Sequence, residues 1–225
     1  MRCRGYEAWC LFAVVLFSCA LQAQQPLKHH APSSSSSANL QNATAVDPGA
    51  ITGNAYRNPW FQFTYKLPFG WVDRTREMSE DSNHDSSPER NPLQQSILLL
   101  AGFEHPPEAA SDSVNSAVVI AAEAASSYPG LRSAEQYFEP LTELMKAKGL
   151  TVVNQPSEFR LGAVQLVRGD FSKARGNLTL CQSTLVMMEK GYVVSFTLIG
   201  GSEDEVDQLI EGLSFDRNQT PARRP

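Results

Sequence analysis

Between Asn58 and Trp71 the chain reads Asn-Pro-Trp-Phe-Gln-Phe-Thr-Tyr-Lys-Leu-Pro-Phe-Gly-Trp, and this stretch marks where folding must begin. Phe61, Phe63 and Tyr65 alternate with Gln62 and Thr64. A period of two puts the aromatic rings on the buried face of a strand and the polar pair outside. Pro68 cannot donate to a sheet ladder, and Gly70 permits a tight bend before Trp71 packs back. The residues ahead of this stretch carry no such pattern.

A chain of 225 residues is long enough for one domain with appendages. Its formal net charge of −5 argues against a nucleic-acid partner, which needs a basic footprint. Cys3, Cys10 and Cys19 crowd the N-terminus and leave Cys181 alone. No internal disulfide can then staple the folded part, which must stand on its apolar core.

Arg2 and Arg4 precede an apolar run from Ala8 to Leu21, followed by Ala23 and Gln24. A positive start, a short apolar segment and a small-residue exit describe a signal peptide over residues 1–23. The run falls short of the about 20 apolar residues that span a bilayer. Two processing routes stay open. Cleavage after Ala23 would release a soluble periplasmic or secreted protein. Alternatively, Leu16-Phe17-Ser18-Cys19 resembles a bacterial lipobox, and a lipid on Cys19 would anchor the protein to the envelope. That anchor is the one membrane contact expected. Residues 24–54, rich in serine and proline, bury too little to repay ordering and read as a disordered tether. The pair His29-His30 within it reads as solvated.

The stretch from Arg74 to Pro92 is polar, acidic-leaning and without periodicity, and reads as a long loop. Apolar runs from Gln95 to Phe103 and from Ser116 to Ala124 read as buried strands. The period then changes: Ala134, Tyr137, Phe138, Leu141, Leu144 and Met145 share a helical face. Ser133 with Gln136 forms a capping box, Gly149 is the natural stop, and Pro140 predicts a kink or a split after Phe138. Strands follow at Thr151–Val153, Glu158–Leu161, Ala163–Phe171, Leu178–Met188 and Tyr192–Ile199. A final helix carries Val206, Leu209, Ile210 and Leu213 behind a second capping box, Ser202 with Glu205. Residues 217–225 read as a disordered tail. Consecutive strands with short links predict an α+β domain over residues 55–216, an antiparallel sheet with helices on its faces.

The opening Phe-x-Phe-x-Tyr-x-Leu-Pro-x-Gly-Trp, Phe61 to Trp71, resembles the start of PsbP-like domains. That family holds the photosystem II extrinsic protein PsbP, bacterial secreted relatives and the Ran-binding protein Mog. The end is similar too: Lys190-Gly191-Tyr192-Val193-Val194-Ser195-Phe196, a glycine break, an acidic helix and Leu213-Ser214-Phe215. The resemblance covers Tyr56 to Asp216. It implies an α/β/α sandwich and a binding or assembly role rather than catalysis. No residue here matches a photosystem or Ran contact, so neither role carries over.

Three groups of residues invite chemistry. Cys181, with His105 or His84 as base, has the types for a thiol nucleophile, but it sits mid-strand with neither histidine placed beside it. Glu80, Asp81, His84 and Asp85 supply donors for calcium or zinc, without a glycine to organise a binding loop. Thr179, Cys181, Ser183, Ser195 and Thr197 would form a polar ligand patch if neighbouring strands present them on one face. Trp60, Trp71 and Phe103 read as core. The sequence contains no phosphate-binding loop, nucleophile elbow or zinc-spaced Cys/His pair, and no cofactor is expected. The reading that follows is an exported, non-catalytic binding or assembly domain for a protein partner. The alternatives are a small-molecule or metal-ion carrier in the envelope, and a thiol hydrolase using Cys181.

Overall fold

The computed structural model describes residues 46–84, 96–107 and 112–215. The signal peptide, Cys19, most of the tether, Asp85 and the tail lie outside them. In chain order the elements are β1 (Ala50–Thr52), β2 (Ala55–Asn58), β3 (Phe63–Lys66), β4 (Val72–Asp73), α1 (Thr75–His84), β5 (Ile97–Phe103) and β6 (Ala117–Ala124). A single 3-10 turn, Ala125–Ser127, leads to α2 (Ala134–Ala147), β7 (Thr151–Leu161), β8 (Val164–Arg175), β9 (Leu178–Glu189), β10 (Tyr192–Gly200), α3 (Glu203–Glu211) and β11 (Leu213–Phe215).

The strands make two antiparallel sheets, a small one ordered β1-β2-β3-β11 and a seven-stranded one ordered β4-β5-β6-β10-β9-β8-β7. The fold class is α+β. On one face of the large sheet, α2 packs Tyr137, Phe138, Leu141 and Met145 onto Val167, Phe171, Val186 and Val193, while Met78 of α1 covers Phe103 and Val119. On the other face α3 shares the cover with the small sheet. There Val206, Leu209 and Ile210 join Phe61, Phe63 and Tyr65 over Leu100, Ile120, Leu185, Leu198 and Phe196. Aromatic rings join the two sheets, with Phe63 edge-on to Phe196 at 5.0 Å and Phe196 edge-on to Phe215 at 6.1 Å.

The aromatic alternation located this core, although the strand starts later than its pattern. Residues Pro59–Gln62 form a turn: Gln62 adopts φ +58°, and the Phe61 amide donates to Asn58 Oδ1 at 2.8 Å. Phe61 is still fully buried, edge-on to Tyr192. Lys190 stacks over the Trp60 ring at 5.1 Å and donates to its carbonyl, which holds the β9–β10 turn to the small sheet. Phe103 is buried, and Trp60 and Trp71 lie half-buried against the core. At the N-terminal edge β1 pairs with β2, so Ala50–Thr52, within the range read as tether, form a strand.

Four expectations change. The loop expected from Arg74 holds α1. Its start is fixed by Asp73, which accepts from the Thr75 amide at 2.9 Å, and Arg76 and Glu80 approach at 3.7 Å one turn apart. Second, α2 runs through Pro140 without a break. Pro140 is exposed, so the missing amide bond and the ring fall on the solvent side. Third, Ser133 caps nothing. Gln136 Oε1 instead accepts from the Arg132 amide at 2.7 Å, while Gly149 ends the helix at φ +78° as expected. Fourth, the two short strands expected after Leu150 are one strand, β7, whose register against β8 shifts between Val152 and Asn154 and again between Asn154 and Ser157. Pro156 fits there because β7 is an edge strand, where a missing donor costs no ladder bond.

Phe138 fills the space over Gly169, where an added Cβ would lie 2.7 Å from the ring. Gly169→Val should therefore destabilise the domain by about 1–3 kcal/mol. Pro140→Ala should stabilise it by about 1–2 kcal/mol, since it restores a helical bond on an exposed face. Denaturant melts of both variants check the pair. An unchanged midpoint in both would mean that α2 does not pack as described.

Candidate functional site

The shifts in β7 bend the edge strand and open a cleft between it and the first turns of α3, enclosing about 450 Å³. Its walls carry Asn154, Gln155 and Ser157 from β7 and Glu203 and Asp207 from α3, and its floor carries Arg168, Asp170 and Cys181. The helix end is held firmly. Ser202 Oγ accepts from the Glu205 amide at 3.2 Å, and Glu205 Oε2 accepts from the Gly201 amide at 2.8 Å. Glu205 also accepts from the Ser116 hydroxyl, which ties α3 to the start of β6. Glu203 and Asp207, one turn apart, therefore line the same wall.

The floor is a connected polar network on the sheet face. Arg168 Nε donates to Asp170 Oδ1 at 2.8 Å, and a terminal nitrogen of Arg168 meets Asp207 Oδ1 at 2.8 Å. Asp170 also accepts from Ser183 Oγ at 2.6 Å and Asn154 Nδ2 at 2.9 Å. The Arg168 guanidinium sits 5.6 Å from the Phe159 ring centroid. Partial burial disfavours its charge, yet its bonds to Asp170 and Asp207 outweigh that and hold it more firmly protonated than usual. This guanidinium is already committed to two carboxylates. Glu203 and the half-exposed Asp207 also face the cleft, where Arg168 is the one cation among the described residues that line it.

Strand register divides the five-residue polar patch expected from sequence. Thr197 pairs with Thr184 and Leu198 with Ser183. Cross-strand partners share a face, so Ser195 and Thr197 point toward the α2 side and Thr179, Cys181 and Ser183 toward α3. Ser195 and Thr197 are buried. Ser183 is fully buried beneath Asp170, Cys181 lines the cleft, and Thr179 is exposed at the strand start. Of the five, the cleft thus holds Cys181, with Ser183 beneath its floor. Sequence reading missed Arg168 and Asp170. Their signal was present, as Val164, Leu166, Arg168 and Asp170 continue one face of β8 from apolar to charged.

Cys181 is a poor nucleophile in this setting. Partial burial pushes its thiol pKa up, and the negative charges of Glu203 and Glu205 push it further the same way. His105 follows β5, with β6 and β10 between it and Cys181, roughly 14 Å away at the usual strand spacing. His84 ends α1, whose Met78 packs on the opposite face of the sheet. Of the expected metal donors, Glu80, Asp81 and His84 fall in α1. Glu80 is exposed near Arg76, while the side chains of Asp81 and His84, and all of Asp85, lie outside the described residues. Among the described residues no three His, Cys, Asp or Glu side chains gather as metal ligands.

No family model matches the chain, and no curated protein does. Among solved structures, it is similar to cyanobacterial PsbP from Synechocystis sp. PCC 6803, at 11% identity, covering 74% of this chain and 96% of that one, with a TM-score of 0.43. It is also similar to LpqN of Mycobacterium tuberculosis, involved in cell envelope biogenesis, at 13% identity over 74% and 80% of the two chains, with a TM-score of 0.33. No residue role passes from either protein to this one.

Asp170→Ala should leave Arg168, Ser183 and Asn154 without their common acceptor and cost about 3–5 kcal/mol in a denaturant melt. A loss below about 1 kcal/mol would show that the network is solvated rather than structural. Cys181 should alkylate more slowly than a free thiol near its ordinary pKa, and Glu203→Gln should speed the reaction by removing a repelling charge. Equal rates in wild type and variant would contradict the electrostatic reading of the cleft.

Proposed function

We propose that this chain is an exported, non-catalytic domain that binds a protein partner, and that the β7–α3 cleft receives a basic segment of it. The observation that carries the reading is the charge of the cleft: Asp170, Glu203 and Asp207 face one guanidinium, which two of them already occupy. Like charges one turn apart on a helix repel, and an incoming lysine or arginine would relieve that repulsion. The cleft's one thiol has its thiolate disfavoured, which supports binding over thiol chemistry. Export rests on the N-terminal pattern of Arg2, Arg4 and the apolar run to Leu21. Among the described residues no helix is long and apolar enough to cross a membrane.

A photoreactive residue at Gln155, in intact cells, should capture a partner identified by mass spectrometry, and the same residue at Phe69 should not. Charge reversal by Glu203→Lys should reduce capture at Gln155 at least tenfold, and added salt should weaken it, because rim charges act mainly through steering. Equal capture in wild type and Glu203→Lys, or capture at Phe69 alone, would overturn the proposal. Rescue of thermal stability by a polyamine without any captured protein would instead identify a carrier of small organic cations.

A further inference from the structure

Glu123 is a carboxylate buried in the large sheet on the face away from the cleft. It is 7% exposed, near the end of a β6 run that is otherwise apolar. Across the sheet it pairs with Val193 of β10. Two phenols cover it. Tyr137 of α2 donates to Glu123 Oε1 at 3.0 Å, and Tyr128, from the connection ahead of α2, donates to Oε2. The two rings pack edge-on, 5.3 Å between centroids. These are the titratable groups bonded to it, from the connection and from α2; its cross-strand partner on β10 is the apolar Val193. Among the described residues no lysine, arginine or histidine forms an ion pair with Glu123.

A carboxylate taken from water without a cation is costly unless hydrogen bonds compensate it. Here both compensating donors lie on one stretch of chain, Tyr128 in the connection and Tyr137 near the start of α2, where it is buried. The connection is short: the Ala125 amide bonds the Gly191 carbonyl at 2.9 Å, the Tyr128 amide the Ala125 carbonyl at 3.1 Å, the Leu131 amide the Tyr128 carbonyl at 3.0 Å, and the Arg132 amide Gln136 Oε1 at 2.7 Å. Ser133 gives α2 no side-chain cap. Tyr128, Leu131 and Ala134 are only partly buried against the α2 core. If this piece lifts, Glu123 meets water and its charged form is solvated at once.

We propose that the segment from Ala125 to Tyr137 is a proton-linked lid over Glu123, closed in acid and loosened as pH rises. The sign follows from linkage. In the closed form burial pushes the Glu123 carboxyl above its ordinary range, and the bonds from Tyr128 and Tyr137 pull it back only in part. In the open form it returns to the ordinary value. The closed lid therefore binds the proton more tightly, and opening becomes easier as pH climbs from the ordinary value to the raised one. Above that window the effect is constant. The lid lies on the sheet face opposite the cleft, so this inference stands apart from the partner-binding proposal.

Hydrogen exchange of the full chain read by mass spectrometry, between about pH 5 and about pH 8 and corrected for intrinsic rates, tests it; each unit of difference in proton affinity is worth about tenfold in opening. Protection over residues 125–137 should fall several-fold across the range, while peptides from α3 stay constant. Glu123→Gln should remove the pH dependence. Tyr128→Phe deletes a bond that favours the charged form, and should move the loosening to higher pH. It also serves as the test should the glutamine variant fail to fold. An unchanged profile in either folded variant, or a flat profile in wild type, would overturn the lid.

Discussion

Every side chain in the large sheet takes its direction from the pairing of β9 with β10, where Thr184 lies opposite Thr197 and Leu185 opposite Phe196. A shift of one residue would turn both strands inside out. As paired, Val186 and Val193 meet α2, while Leu185, Phe196 and Leu198 meet the small sheet and α3. Both faces of the central strands are therefore apolar, and both must be covered. Phe63 and Phe215 supply one cover by packing onto Phe196, which brings β11, and with it the end of α3, across the sheet. The position of the cleft follows, because α3 is fixed at one end by β11 and at the other by Glu205 on Ser116 and Gly201.

The cleft is the place where this cover runs out. Along β8 the covered face changes from Val164 and Leu166 to Arg168 and Asp170, and the bulged β7 stands away from α3. A half-buried arginine needs acceptors, and it takes one from its own strand and one from the helix. That network fixes α3 to the sheet while leaving negative charge at the rim. Structure and electrostatics are thus joined in the same residues: the acceptors that satisfy Arg168 also set the sign of the surface.

Much of the architecture was legible because it rests on period. The alternation through Phe61, Phe63 and Tyr65, the stripe of α2 and the runs of β5, β6 and β10 all survive close to their expected bounds. The helix α1 was hidden because its support is an Asp73 cap and charge pairs one turn apart, with Met78 packed on the core, so no apolar stripe announced it. Pro140 misled because its cost depends on which side of the helix it faces. The candidate site was less legible than the fold. Thr179, Cys181 and Ser183 could be placed on one face by parity, but attaching Ser195 and Thr197 to them needed the register between strands, which no single strand's pattern contains. Arg168 and Asp170 could have been flagged as opposite charges on the apolar face of one strand, whereas their partner Asp207 is brought in from another element.

The measurement that bears most directly on the central claim is mapping of backbone amide shifts in the folded domain on addition of a short oligoarginine peptide. A basic segment seated in the cleft should shift the amides of Val153–Ser157, Arg168–Asp170 and Glu203–Asp207 together, with those of α2 unmoved. Shifts scattered over the acidic surface, or centred on α2, would contradict a cleft built to receive a cation.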